Sequence, residues 1–437
     1  MTLEIRQDLS ADGLFRKVKE NLGKILDHRK GDIEISLDDC LMSAFAMFSL
    51  KHPSLLKFVD EMSANENMRT IYQIEQVPSD TRMREILDEV DPFSLSKTFR
   101  VIFAVAQRGK VLEKMVYHEG YYIISGDGTG YFSSKTIHCE NCLEKNSSNG
   151  ITYYHQMYCM AIVKPGEKAV IPLMPEPIIK QDGNTKNDCE RNAAKRALER
   201  LRLEHPHLKI LFTEDGLSSN APHIKDLIRL KIEYLLIAKE SDHQFLFNYV
   251  EEKRQVGEVK MVTVKQENGV NKLYKFINDV PLNASNVELR VNFLEYWEID
   301  TNSDEVLRFA WVTSVKLKEE NVEWLVEAGR SRWKIENETF NTLKNQGYNF
   351  EHNFGHGNKN LSVLFAFLMM LAFLVDQIQQ LACGLFQAVL AFKKRKIRLW
   401  ESIRSHFELV IYPNMETLYR MILSNSRPKY EDIVNTS

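Results

Sequence analysis

The chain runs to 437 residues, 44% of them hydrophobic and 27% charged, a balance that excludes general disorder and suits two to four compact units. A formal net charge of -3 excludes a uniformly basic polyanion binder. Contact with nucleic acid would have to come from local basic clusters such as Lys393–Arg398 and Arg191–Lys209.

Residues 1–117 carry helical periodicity, with helix starts at Ser10-Ala11-Asp12 and Ser36-Leu37-Asp38-Asp39 and a capping turn at Pro78-Ser79-Asp80-Thr81. Met1–Arg6 lacks the basic-then-apolar pattern of an export signal, so a cytoplasmic compartment is expected. The six cysteines then read as free thiols or metal ligands rather than disulfides. The character changes at Gly120. Strand-like stretches at Gly120–Ser125, Tyr131–Ile137, Ile151–Val163 and Ala169–Pro175 precede a helix at Asp188–His205, a strand at Lys209–Thr213, a helix at Ala221–Leu230 and a strand at Tyr234–Ala238. That is the strand and helix order of a ribonuclease-H-like core.

Residues 241–320 are again strand-rich, at Val259–Val264, Lys272–Phe276, Val287–Ile299 and Arg308–Lys316, with turns at Glu267–Gly269 and Thr301–Asp304. They do not continue the core order and read as an inserted subdomain. A helix through Arg332–Lys344 follows, then a breaker at Gly355-His356-Gly357, helices over 359–392, 395–408 and 415–423, and an unstructured tail after Arg427. The apolar run Leu361–Val375 falls short of the roughly 18 residues of a membrane span and leads into Asp376, so it reads as a buried helix with no membrane partner. The expected fold class is therefore α/β. A ribonuclease-H-like catalytic core (118–240 and 321–358) holds an inserted β subdomain (241–320) between helical N- and C-terminal regions (1–117 and 359–437).

Three acids stand out against this frame. At 100° per residue, Val322, Leu325, Trp333, Phe340 and Leu343 share one helix face, with Lys334 and Glu338 opposite, and Glu336 falls within the apolar face. A carboxylate aimed at a core needs a cation, a donor or a metal. Asp127, between two glycines after the first strand, and Asp215, at the end of the strand before Gly216, arrive at one core edge. Three converging acids can hold two divalent cations for in-line displacement at a phosphate. The flanking glycines suit close approach of substrate and metal to Asp127.

In these motifs the sequence resembles bacterial insertion-sequence transposases of the DDE type, whose third acid lies in a Tyr-Arg-Glu-Lys signature on a helix. Strand-Asp127-Gly-Thr, Glu-Asp215-Gly followed by Asn220 and His223, and Arg332-Trp-Lys-Ile-Glu336 with Phe340 and Leu343-Lys344 match in order over residues 75–375. The resemblance implies a transposase using two magnesium or manganese ions, held by Asp127, Asp215 and Glu336, to nick double-stranded transposon ends and join the freed 3′-hydroxyl to target DNA. It further implies end recognition by the N-terminal helices, DNA-end handling by the β insertion, and an active homodimer. Two positions depart from the signature: its tyrosine is Gly329, and its lysine position is Leu343, with Lys344 one further on. Glu338 is thereby a rival third acid, on the polar side of the helix. A metal-dependent nuclease without strand transfer, or a DNA-binding protein that kept the fold without catalysis, are the alternative functions.

Arg332 and Lys344 are candidate phosphate contacts, and Trp333, Asn220 and His223 complete the candidate DNA-binding set. Trp297 and Trp311 lie in the insertion, where a base could stack, although sheet packing accounts for both. His138, Cys139 and Cys142, with Cys189 further on and His155 between, form a candidate structural zinc site. His352 and His356 read as ordinary loop polarity.

Overall fold

The computed structural model describes residues 7–180, 188–267, 269–300, 303 and 305–424. The expected N-terminal signal-free segment and the tail after Arg427 lie outside the described residues, as do parts of the two turns expected near 268 and 302.

The sheet is built from β1 (Tyr122–Ser134), β2 (Leu143–Ser147), β3 (Gly150–Val163), β4 (Ile171–Pro172), β5 (Glu176–Ile178), β6 (Ile210–Thr213), β7 (Glu233–Ile237), β8 (Lys260–Lys265), β9 (Val270–Asn283), β10 (Asn286–Asp300) and β11 (Val306–Thr313). β3 pairs antiparallel with β1 and carries β4 and β5 on its other side; β6 and β7 follow β1 in parallel. The helix Glu190–Glu204 precedes β6 and the helix Ala221–Arg229 joins β6 to β7. This is the ribonuclease-H-like arrangement, and its central strands are near-continuous apolar runs, as strands covered on both faces must be.

Four differences from the sequence reading have local causes. The stretches expected as two strands, Gly120–Ser125 and Tyr131–Ile137, are one 13-residue strand, because the Gly-Asp-Gly between them stays extended and only a bulge interrupts the ladder between Gly130 and Phe132. The strand-rich insertion opens with a helix, Gln244–Gln255. The insertion also does not stand apart: β11 pairs antiparallel with β7, so β8–β11 extend the core sheet. The two helical regions pack on each other as well. Asn67 donates to the carbonyls of Phe407 (2.7 Å) and Val410 (2.8 Å), and the buried Lys51 ammonium pairs with Asp376 under the Trp400 ring.

The predicted caps hold: Ser10, Ser36 and Ser79 accept from the N–H of Gly13, Asp39 and Arg82. Leu361–Ala382 is a 22-residue helix, longer than its apolar run suggested and long and apolar enough to cross a membrane, yet its apolar window is wholly buried inside the protein. Asp88 caps it from the N-terminal region, accepting from the N–H of Asn358, Lys359, Asn360 and Leu361.

Candidate active site

The β1–β6 register brings the two aspartates together. Ser125 pairs with Thr213, and Asp127 and Asp215 each lie two residues further on, just past the parallel β1–β6 ladder, Asp127 within β1 and Asp215 beyond the end of β6, on strands about 4.8 Å apart. Open α/β sheets form their sites at such strand ends. Asp215 also caps the turn that follows, accepting from the Leu217 N–H at 3.0 Å.

Glu336 arrives from the other side. The stretch around it is not one regular helix: α-helix Val322–Arg330 tightens into a 3₁₀ turn at Ser331–Trp333, relaxes into a π-helical segment at Ile335–Phe340 and resumes as α-helix at Asn341–Asn345. The mixed pitch rotates the side chains away from a uniform 100° wheel. Lys334, expected on the polar face, is buried with Nζ donating to the Glu167 carbonyl at 2.6 Å, and Trp333, expected in the apolar face, is 44% exposed. Glu336 is correspondingly half-exposed, not inserted into the core.

Its partner is Arg332. One guanidinium nitrogen lies 2.7 Å from Glu336 Oε1 and another 3.5 Å from Asp127 Oδ2, so this side chain bridges the two acids. The Ser125 hydroxyl donates to the Arg332 carbonyl at 3.1 Å, tying the segment to β1. Glu338 instead lies near Lys396 of the C-terminal helices. Of the two glutamates, Glu336 is the one on the Asp127 side.

A fourth carboxylate joins the cluster. Glu190, the first residue of its helix, reaches the Gly128 backbone, and a Cβ on Gly128 would sit 2.4 Å from its Oε2. Gly126 leaves room for the Tyr158 hydroxyl, 2.0 Å from where its Cβ would be. The glycines around Asp127 thus make space for protein groups already in place. Sequence reasoning passed over Glu190 because an acid in the first turn of a helix is ordinary dipole compensation.

The electrostatics are those of a site short of positive charge. Burial, repulsion from Glu190 and repulsion from Glu336 push the Asp127 carboxyl up to about 7, against the pull of Arg332 and the Gly128 N–H. Loss of water and the neighbouring Glu214 and Asp215 raise Glu190 too. Glu214 is itself buried, accepting from Tyr158 and lying 2.6 Å from His223 Nε2.

The candidate DNA-binding residues divide. Arg332 stands at the acid cluster, whereas Trp333 is exposed with the Lys334 ammonium 4.9 Å from its ring. His223 turns inward to Glu214, and Asn220 caps the helix Ala221–Arg229, accepting from the His223 N–H at 3.2 Å. Lys344 pairs with Glu351 at 2.8 Å. Trp311 is fully buried and occupies the space beside Gly329, where a Cβ would lie 2.6 Å from the indole. Trp297 lies between Lys275 and Arg308, 5.1 and 4.9 Å from its ring.

The candidate zinc set changes. Cys139 and Cys142 converge with His155 and His356, four buried residues able to hold a metal ion. His138 lies outside the group, its ring against Tyr153 at 4.5 Å, and Cys189 is exposed at the start of the helix Glu190–Glu204. No local spacing could have pointed to His356, which the fold brings in from the far side of the catalytic segment.

No curated protein shows a significant match to the chain. A family model described as a transposase DDE domain matches residues 134–374, more than half of the chain; Asp215 and Glu336 fall within the match, and Asp127 lies on the same strand as its first residue. The strand order and this match agree, and the chain belongs to the DDE transposases.

Proposed function

We propose that the protein cleaves transposon DNA ends and joins them to target DNA at Asp127, Asp215 and Glu336, with Glu190 as a fourth acid. The observation that carries this reading is Asp127, whose carboxyl is pushed up to about 7 by burial and by acids that Arg332 only partly offsets. A cluster of oxygen donors left so short of positive charge fits hard divalent cations such as magnesium or manganese. When bound, such ions activate the attacking oxygen and stabilise the leaving one.

The chain's own contributions follow from its geometry. Asp127 and Asp215 are fixed by adjacent strands, so their spacing is set by sheet hydrogen bonds. Glu336 rides on the irregular helix and is held toward Asp127 by Arg332. Once the acids are neutralised, the Arg332 guanidinium is available to a phosphate oxygen. Trp333, exposed beside it, offers a face to a sugar or base. In the first reaction a water oxygen bonds to phosphorus, the bond from phosphorus to the 3′ oxygen breaks, and that oxygen leaves as a hydroxyl. In the second, the hydroxyl attacks a target phosphate, loses its proton and displaces another 3′ oxygen. The N-terminal helices recognise the ends, and a homodimer holds two ends together.

Incubation with an end-containing duplex, target DNA and magnesium or manganese tests this. Cleaved and joined products are expected, and both should be lost in Asp127→Asn. Cleavage that never proceeds to joining would reduce the protein to a nuclease, and binding without cleavage to a DNA-binding protein.

A further inference from the structure

We propose that Cys139, Cys142, His155 and His356 bind one zinc ion in a closed structural site, separate from the acid site, that locks the loop after the catalytic segment onto the β1–β3 ladder.

The distances between the donor atoms carry this. The two thiol sulfurs and the two Nε2 atoms all lie within 4.8 Å of one another. A tetrahedral zinc with bonds near 2.3 Å to sulfur and 2.0–2.1 Å to nitrogen places two sulfurs about 3.8 Å apart and a sulfur and a nitrogen about 3.6 Å apart. The Cys139–Cys142 sulfurs are 3.8 Å apart; His155 Nε2 lies 3.3 Å from Cys139 Sγ and 3.4 Å from Cys142 Sγ, and His356 Nε2 is 3.4 Å from Cys142 Sγ. A disulfide needs sulfurs near 2.05 Å and would leave both imidazoles without a purpose.

The surroundings agree. Cys139 donates its N–H to Cys142 Sγ at 3.4 Å, a contact that neutralises part of a thiolate's charge. His155 stacks on Tyr131 and His356 lies against Phe132, so aromatic rings keep water away. All four residues are buried, and among the described residues they supply four donors, the number a closed tetrahedral structural ion takes. Sulfur and imidazole donors favour zinc over the hard cations of the acid site.

The site joins segments more than two hundred residues apart in sequence. The turn between the cysteines also grips the loop directly: the Glu140 N–H donates to the Asn358 carbonyl at 3.0 Å and the Asn141 amide to the Lys359 carbonyl at 2.7 Å. Asp88 holds the same loop from the opposite side.

Metal analysis of the full-length protein, purified without metal-affinity resin, tests the site. About one zinc per chain is expected. Cys142→Ser and His356→Ala should lose it, while Cys189→Ser and His138→Ala keep it. Should the ligand variants fail to fold, cobalt exchanged into the unaltered protein provides the second readout: visible bands of a tetrahedral site with two sulfur ligands are expected. Removal of the ion by a strong chelator should lower Tm by at least about 5 °C. Metal-free protein whose Tm ignores the chelator, zinc retained in Cys142→Ser, iron in place of zinc, or octahedral cobalt spectra would each overturn the assignment.

Discussion

The acid site and the Cys/His cluster stand on the same β1–β3 ladder, where Asp127 pairs with Cys159 and Phe132 with His155, four residues or roughly 13 Å apart along β3. At the acid site, hard oxygen donors are partly exposed, repel one another and are bridged by a mobile class of side chain, an arginine. In the cluster, soft donors are buried and gathered within 4.8 Å of one another. The contrast teaches how one strand can carry two kinds of donor set: partly exposed oxygens with unsatisfied charge suit a ligand that comes and goes, whereas buried sulfur and imidazole suit an ion that stays.

The most damaging test of this contrast is at the acid site. Glu336→Gln should lower strand transfer by at least about 10³-fold without lowering Tm, whereas Glu338→Gln should stay within about threefold of the unaltered protein. Equal losses in both variants would remove the distinction drawn from Arg332.

A second test reads the unsatisfied charge itself. The Asp127 carboxyl is raised from 3.8 to about 7 in the folded protein, so between those values the native state holds a proton that the unfolded chain has released. Its contribution therefore destabilises the metal-free fold as pH rises from about 4 through 7, by a few kcal/mol at most, and vanishes below the unfolded value. Thermal unfolding of metal-free protein at pH 5.5 and 8.5, beside Asp127→Asn, should show the larger fall in the unaltered protein. Added magnesium should shrink that fall. A steeper profile in the variant would contradict the origin assigned to the shift.

The smallest expected effect lies at Gly329, which packs against β11. Alanine in a helix interior normally gains up to about 1 kcal/mol over glycine, but a Cβ here meets the fully buried Trp311 at 2.6 Å. Overpacking of that kind costs about 1–3 kcal/mol, so Gly329→Ala should be net destabilising in denaturant unfolding.

Much of the core was legible because its signals are local. Apolar runs bounded by turns marked β3, β6 and β7, serines marked the caps, and Asp215 followed from its strand end, whereas Asp127, expected after a strand, lies within one. What escaped depends on contacts distant in sequence or on irregular pitch. A wheel with one fixed angle cannot anticipate a 3₁₀ turn followed by a π segment, so Trp333 and Lys334 exchanged places. Glu190 carried no sign beyond a normal helix start. His356 is joined to the cysteine pair only by the folded chain, and the local C-x₂-C spacing pointed to His138 and Cys189 instead.

The pairing of β11 with β7 has one more consequence. Because Trp311–Thr313 are hydrogen-bonded to Leu235–Ile237, and β7 in turn to β6, whatever surface β8–β11 present to DNA stands at a fixed offset from Asp215. The insertion is therefore held in place by the same hydrogen-bonded ladder that holds the strand before Asp215.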